Sequence, residues 1–431
     1  MPCVASAQHA HEGAAQHTQE GAKTEATTEK HETPAVSHDA SATNVAPHTT
    51  EAAHTEAAHG TEAGASEGHD GKFNPLEMIM HHISNSNEFH IVGEHEKSIS
   101  VPLPCILWSR LDGFTTFMSS KLHHGSVAYN RYVLNHGVVC RIKDIGVFPT
   151  GETEIEHIVT EKNGEVETSY AVYKGEKFEI EKASNLLKMG SFIDFSISKN
   201  VFTMLLALFM SMFIFFKVAK MYKTREGKAP TGIQNFFEVI ISFLIDEVAK
   251  PMLGDKYMKH LPFLLSIFFF ILFNNLLGLI PFFPGGANVT GNIATTMSLA
   301  VITFLLVNLN GNRDYWKHIF WMPGVPVPMK IFLAPIEFLG VFTKPVSLMI
   351  RLFANITAGH IIILSLVGLI FVFGNAGQNL LGASAGALVA VPFTLFLSGI
   401  ELIVAFIQAF IFAILAASYI GAATEEHHDA H

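Results

Sequence analysis

Between Pro345 and Thr424 lie 80 residues with only two charged side chains among them, Arg351 and Glu401. From Leu261 to Asn312 another 52 residues carry no Asp, Glu, Lys or Arg at all. A soluble domain averages about 25% charged residues, and this chain has 15% overall. Runs this long and apolar are membrane spans, because about 20 such residues in a helix cross the ~30 Å hydrocarbon layer. The question is why two charges are kept inside one.

The other end of the chain is the opposite in character. Residues 1–72 contain no Ile, Leu, Phe, Trp or Tyr, carry nine Glu and two Asp against three Lys, and hold nine of the 23 His. Such a composition does not bury enough surface to offset the entropy of ordering, so a disordered Ala/Glu/His/Thr-rich tail is expected. Its histidines are irregularly spaced and are read as composition rather than as a metal site. Residues 73–190 have ordinary apolar content, a Pro-rich turn at VPLPC, alternation through Val166, Thr168, Tyr170 and Val172, and the hairpin signal Asn163-Gly164. They predict a small β-rich extramembrane domain, with His81-His82 and His123-His124 on its surface. Cys3, Cys105 and Cys140 are too few and scattered for a disulfide framework or zinc site. No phosphate-binding loop or HExxH helix is present, so nothing supports a nucleotide or metalloprotease site.

Residues 191–424 form the membrane domain, followed by a short tail, 425–431. The first span is Asn200 to Phe216, framed by Lys199 and Lys217, whose stems can reach the interfaces. KVAKMYKTREGK follows, with five Lys or Arg against one Glu; by the positive-inside tendency it is cytoplasmic, which puts the N-terminal region in the periplasm. Export of that region implies a leader upstream of the present start, since MPCVASAQ lacks an apolar core. Residues 231–253 place Gln234, Glu238, Ser242 and Asp246 on a polar stripe opposite Phe236, Ile240, Phe243 and Leu244, with Glu247 misplaced; this predicts an amphipathic helix in the interface. Leu261 to Phe283 and Ile293 to Leu309 are the next spans. The loop 310–330, with Arg313, Lys317 and Lys330, is cytoplasmic again.

Pro335 to Phe373 and Gly386 to Gly421 are too long for upright spans and predict a steeply tilted helical hairpin. The fold class is thus all-α membrane protein, with five transmembrane helices, one interfacial helix and the N-terminal additions. Antiparallel helices keep a constant sum of opposed residue numbers, which sets His360 level with Glu401 and Arg351 level with Gln408, roughly 13 Å away along the axis. At 100° per residue Asn355 lies near Arg351, while His360 points the other way. A buried Arg, always protonated, needs an anion or water. Glu401 is a layer and a face removed, so that anion is expected on another chain. His360 and Glu401 together suit proton uptake near neutral pH; mutual interhelical hydrogen bonding is the bland reading, weakest for Arg351.

KPVSLMIRLFANITAGH at Lys344 to His360 and ELIVAFIQAFIFAIL at Glu401 to Leu415 resemble subunit a of F-type ATP synthases, the stationary proton-channel subunit. FNNLLGLIPFF and GNIATTMSLA, within Phe273 to Ala300, resemble the preceding hairpin of that family. The resemblance implies that Arg351 faces the carboxylates of a rotating c-subunit ring, that Asn355 and Gln408 flank it, and that His360 and Glu401 mark the external half-channel. Many bacterial members carry the acid on the first arm and the histidine on the second; here they are exchanged. Glu337 and Lys344 match polar positions near the cytoplasmic side. The resemblance further implies a non-catalytic subunit in the bacterial inner membrane with a b-subunit stalk, lipid and protons as partners, and no cofactor, metal or nucleic acid. Two rivals stand beside it. A self-contained channel or secondary transporter requires internal polar partners, and inverted repeats are not evident. A tethered metal-binding envelope protein has no use for Arg351.

Overall fold

The computed structural model describes residues 79–425 apart from 81, 93–98, 144–145, 147, 164–165, 184–191, 281–282, 323 and 376–377. The expected disordered tail, Cys3, His81, Gly164 and the terminal residues 426–431 lie outside the described residues.

Residues 88–194 form the β-rich region, and every strand pairing in it is antiparallel. The strands are β1 (Glu88–Val92), β2 (Ile99–Pro102), β3 (Pro104–Ser109), β4 (Gly113–Met118), β5 (Val127–Tyr129), β6 (Tyr132–Asn135), β7 (Val138–Ile142), β8 (Glu152–Glu154), β9 (His157–Asn163), β10 (Val166–Tyr173), β11 (Glu176–Lys182) and β12 (Phe192–Asp194). Seven make one sheet in the order β8-β5-β6-β7-β11-β10-β9, three make β12-β3-β4, and β1-β2 is a separate ribbon. Pro102 and Pro104 close β2 and open β3, where a missing N–H does least harm to a ladder. Successive strand residues point to opposite faces, and β6 uses both. Val133 joins a core with Cys140, Ile142 and Phe178, whereas Tyr132 and Leu134 join one with Leu107, Phe117 and Phe192. On β10 the fully buried residue is Ala171, between Tyr170 and Val172 of the expected alternation, and Val172 is buried as well. Val166 stands opposite Asn163 where the hairpin signal was read. Lys174-Gly175 and His136-Gly137, two-residue links with positive φ at both positions, make the turns that match strand twist.

The rest is helical: α1 (Lys199–Thr224), α2 (Ile233–Leu244), α3 (Tyr257–Leu279), α4 (Ile293–Asn310), α5 (Arg313–Phe320), α6 (Val327–Phe373) and α7 (Leu380–Thr424). A π-turn at Ile245–Ala249 and short turns join α2 to α3. Five helical runs are long and apolar enough to cross a membrane, with the α2–α3 run counted as one. Three details correct the sequence reading. The loop 310–330 contains α5, whose first turn begins at Arg313. Gln234, placed on the polar stripe of α2, is buried, while Phe236 (61% exposed) and Val239 face outward; α2 packs its Gln234, Phe237 and Leu244 side inward. Lys199 has a partner that the sequence did not show: its ammonium is buried and donates to the His82 carbonyl at 2.8 Å.

α6 and α7 span 47 and 45 residues, longer than the expected arms, or about 70 Å each at 1.5 Å per residue. Pro335, Pro345 and Pro392 each remove a backbone hydrogen bond within them. α7 turns Ala405, Ala409, Ala413, Ala416 and Ala417 inward. With lipid as apolar as any side chain, such small residues let helices approach closely and gain packing. From Ala409 onward this alanine ladder shares its core with Phe268, Ile271 and Leu272 of α3 and with Leu348, Leu352 and Ile356 of α6.

Candidate functional site

The two arms bring His360 and Glu401 together: Nδ1 lies 2.7 Å from the Glu401 Oε1, with side chains 13% and 6% exposed. Gly359 makes the approach possible, since a Cβ there would stand 2.7 Å from the same oxygen. Glu401 Oε2 is buried with no hydrogen-bond partner among the described residues. On its other side His360 meets Gly278 of α3, where a Cβ would lie 3.5 Å from Nε2 and 3.2 Å from the Ala287 carbonyl.

Around this pair stands a polar group that the sequence reading did not single out. Asn275 donates to the Ala405 carbonyl at 3.1 Å, one turn beyond Glu401, and accepts from the Thr290 hydroxyl at 2.6 Å. Thr357, one turn before His360, is paired with the Gly291 carbonyl at 3.3 Å. Asn288 and Thr290 are buried although they belong to the α3–α4 loop, so that loop folds back onto the helices. The available signal was the adjacent pair Asn274-Asn275 in the middle of an apolar helical stretch, each costly in hydrocarbon unless it has a partner or a task.

Arg351 is placed differently. It is half-buried on α6, and Asn355, one turn on, is exposed with Ile350, Ala354 and Ala358. Buried Leu348, Leu352 and Ile356 mark the inner stripe of the same helix, so Arg351 lies toward the outer face of the hairpin. Among the described residues no carboxylate lies within ion-pair distance of it. Gln408 is buried on α7, on the inner side with Glu401, and no hydrogen bond joins it to Arg351. The structure thus brings together His360 with Glu401 but not Arg351 with Gln408.

Toward the far end of α6 from His360, a narrow cleft opens between α4, α5, α6 and α7. Asn308, Tyr315, Val341, Lys344, Leu348 and Tyr419 line it. Lys344 Nζ lies 5.6 Å from the Tyr419 ring centre. Burial, with the Glu337 charge adding to it, raises the Tyr315 hydroxyl above its ordinary pKa. Tyr315, Asn308 and Tyr419 are further residues the sequence reading missed.

Five apolar helical runs and a buried histidine–carboxylate pair among them define a multi-pass membrane protein with ionisable groups inside it. The family model described as ATP synthase A chain matches residues 201–421. "ATP synthase subunit a" of Chloroherpeton thalassium is 42% identical over 251 residues, 56% of this chain and 71% of that protein. "ATP synthase subunit a 2" of Chlorobaculum tepidum is 43% identical, covering 55% of this chain and 66% of the relative, and "ATP synthase subunit a" of Myxococcus xanthus is 41% identical, covering 56% and 78%. The chain belongs to the ATP synthase A chain family and is a membrane-sector subunit of an F-type ATP synthase, a setting of ATP synthesis and ion transport. Residues 78–166 match a separate domain of unknown function (DUF8433).

Proposed function

We propose that this subunit is the stator of proton translocation, forming two offset half-channels against a ring of c subunits. The observation that carries the reading is the pair of unlike environments on one hairpin: His360 bonded to Glu401 on the inner side, and Arg351 without a carboxylate of its own on the outer face. Protons arrive through the polar group around Glu401 and His360 and neutralise a rotor carboxylate, which can then enter lipid as a charged one cannot. Arg351, flanked by Asn355, favours the ionised rotor site and blocks direct passage of a proton between the half-channels. Gln408, buried on the inner side of α7 with Glu401, is the polar group that the second arm adds. Discharge runs through the cleft beside Lys344, with Glu337 near its outlet. Each proton crossing at ~100 mV contributes about 2.3 kcal/mol, so several drive each ATP made elsewhere in the complex.

In this reading residues 73–190 are a periplasmic domain, 191–424 the proton-channel domain of a bacterial inner membrane protein and 425–431 a cytoplasmic tail. α2 lies in the interface, the hairpin is steeply tilted around the ring, and a b-subunit stalk holds the subunit still. The subunit has no catalytic site of its own. The test is Arg351→Ala in the complete complex in proteoliposomes: proton-driven ATP synthesis is abolished while ATP hydrolysis by the catalytic sector persists. Normal synthesis refutes the assignment.

A further inference from the structure

The β-rich region is fastened to the membrane domain at more than the chain connection. Lys199 donates through Nζ to the His82 carbonyl and through its backbone N–H to Ser86, both at 2.8 Å, and the Asn200 N–H donates to Asn85 Oδ1 at 3.2 Å. Phe89 of β1 meets Phe202 of α1 edge-on at 5.6 Å and Phe283 at 5.4 Å. With Leu103 it forms a buried cluster around Ala287 and Val289 of the α3–α4 loop. Ala287 is also the residue whose carbonyl lies on Gly278, and His360 Nε2 approaches that same glycine. Three layers are therefore stacked in order: β1 and its neighbours, the folded-back loop, and the His360–Glu401 pair.

Polar atoms are stranded along this stack. Both side-chain atoms of Asn200, the Thr203 hydroxyl, Asn288 Oδ1 and Glu401 Oε2 are buried without a hydrogen-bond partner among the described residues. Asn200 and Thr203 are three apart on α1 and so share a face. They stand at the level of Phe202, which touches Phe89, on another side of the helix from it, while Asn288 lies in sequence between the two loop residues of that cluster. Buried polar atoms in such numbers are met by ordered water.

We propose that the β-rich region is a cap over the outer mouth of the uptake half-channel, so that water and protons, but nothing bulky, reach His360 and Glu401 through a narrow seam lined by Asn200, Thr203 and Asn288. This gives a role to the segment matching the domain of unknown function, and it rests on the half-channel reading above. The phenylalanine cluster forms the seal, and the polar atoms form the passage.

The test uses the whole complex in right-side-out membrane vesicles, with Cys3→Ala as background because Cys105 and Cys140 are buried in the β-rich cores. Asn288→Cys and Thr203→Cys are exposed separately to silver ion or to a bulky impermeant maleimide, with Ser126→Cys as an exposed control. Modification is read by mass spectrometry of the chain, independently of transport. The cap predicts that silver occupies both buried cysteines while maleimide labels them at least tenfold more slowly than residue 126. Phe89→Ala with Leu103→Ala then raises maleimide labelling of Asn288→Cys at least tenfold. Maleimide labelling as fast as at residue 126 with the cluster intact overturns the cap, and failure of silver to react at either site overturns the seam. Neither readout depends on proton flow, so these outcomes are distinct from failure of the half-channel reading, which appears as unchanged transport in His360 and Glu401 variants.

Discussion

Two regions of this molecule bury arginines, and they treat them in opposite ways. In the β-rich region Arg131 and Arg141 converge on the Asp112 carboxylate, with Arg141 at 2.5 Å and only 3% exposed. The charges there find their carboxylate within the chain, and the cluster joins the start of β6 and the strand β7 to the turn before β4. In the membrane region Arg351 has no such carboxylate among the described residues and lies toward an outer helix face. A guanidinium is as costly to desolvate in one place as in the other. The first arrangement serves the fold of a single chain; the second fits the proposal that another molecule supplies the anion.

The comparison breaks first at Arg351. Replacing it with Met keeps most of the apolar stem and removes the charge; synthesis is lost entirely, while thermal unfolding of the isolated subunit in detergent changes by less than about 1 kcal/mol, since no internal pair is broken. A large drop in stability makes Arg351 a structural residue like Arg141. Asp112→Ala is the converse, removing the carboxylate on which two buried cations converge. It destabilises the β-rich region by about 3–5 kcal/mol in denaturant titrations, and activity falls only as far as that region unfolds.

Next in size is a pH effect confined to the β-rich region. Burial pushes the Cys105 thiol up to about 12 and that of Cys140 up to about 11. Above pH 9 the unfolded chain gives up these protons and the folded one keeps them, so stability falls as pH rises, by about 1.4 kcal/mol per pH unit for each thiol. Melting temperatures between pH 8 and 10.5, compared with a Cys105→Ala, Cys140→Ala variant, measure the slope; equal slopes refute it. At neutral pH neither thiol reacts with maleimide in the folded protein.

Smaller effects belong to the inner side of the hairpin. Glu401→Gln or His360→Ala lowers proton-driven synthesis roughly tenfold, less than the ~10²–10⁴ of a positioned acid or base, because water still reaches the site. Gly359→Ala, forced against Glu401 Oε1, does the same without replacing either partner. His360→Glu combined with Glu401→His recovers part of the loss, and a double variant worse than both singles rules out the pairing. Smallest is Lys143→Ala, which breaks an exposed pair with Glu179 and changes stability by at most about 1 kcal/mol.

What the sequence made legible follows from where its signals are strong. Uncharged runs marked the membrane helices, and helical arithmetic set His360 level with Glu401, because both rest on regular periodicity. Hairpin turns at Lys174-Gly175 and His136-Gly137 went unread, since they depend on left-handed backbone conformations at residues other than the familiar Asn-Gly. Gln234 was assigned to solvent because amphipathicity alone does not tell a polar face turned to water from a polar residue packed between helices. Asn275, Asn288 and Thr290 gather at the pair through a loop that folds back, and no local pattern encodes that contact. Lys199 was read as an interfacial anchor because nothing in sequence reveals that the β-rich region supplies its hydrogen bond.

The central claim, that Arg351 faces an acid carried by a moving neighbour, is tested most directly by disulfide cross-linking in the intact complex. Ala354→Cys is exposed beside Arg351 on the same face; it is paired with a cysteine placed next to the ring carboxylate of the c subunit. The account predicts a cross-linked product between this chain and the c subunit that forms with oxidant and stops ATP-driven rotation until reduced. No such product, with Ala354→Cys remaining open to lipid-soluble thiol reagents in the assembled complex, contradicts it.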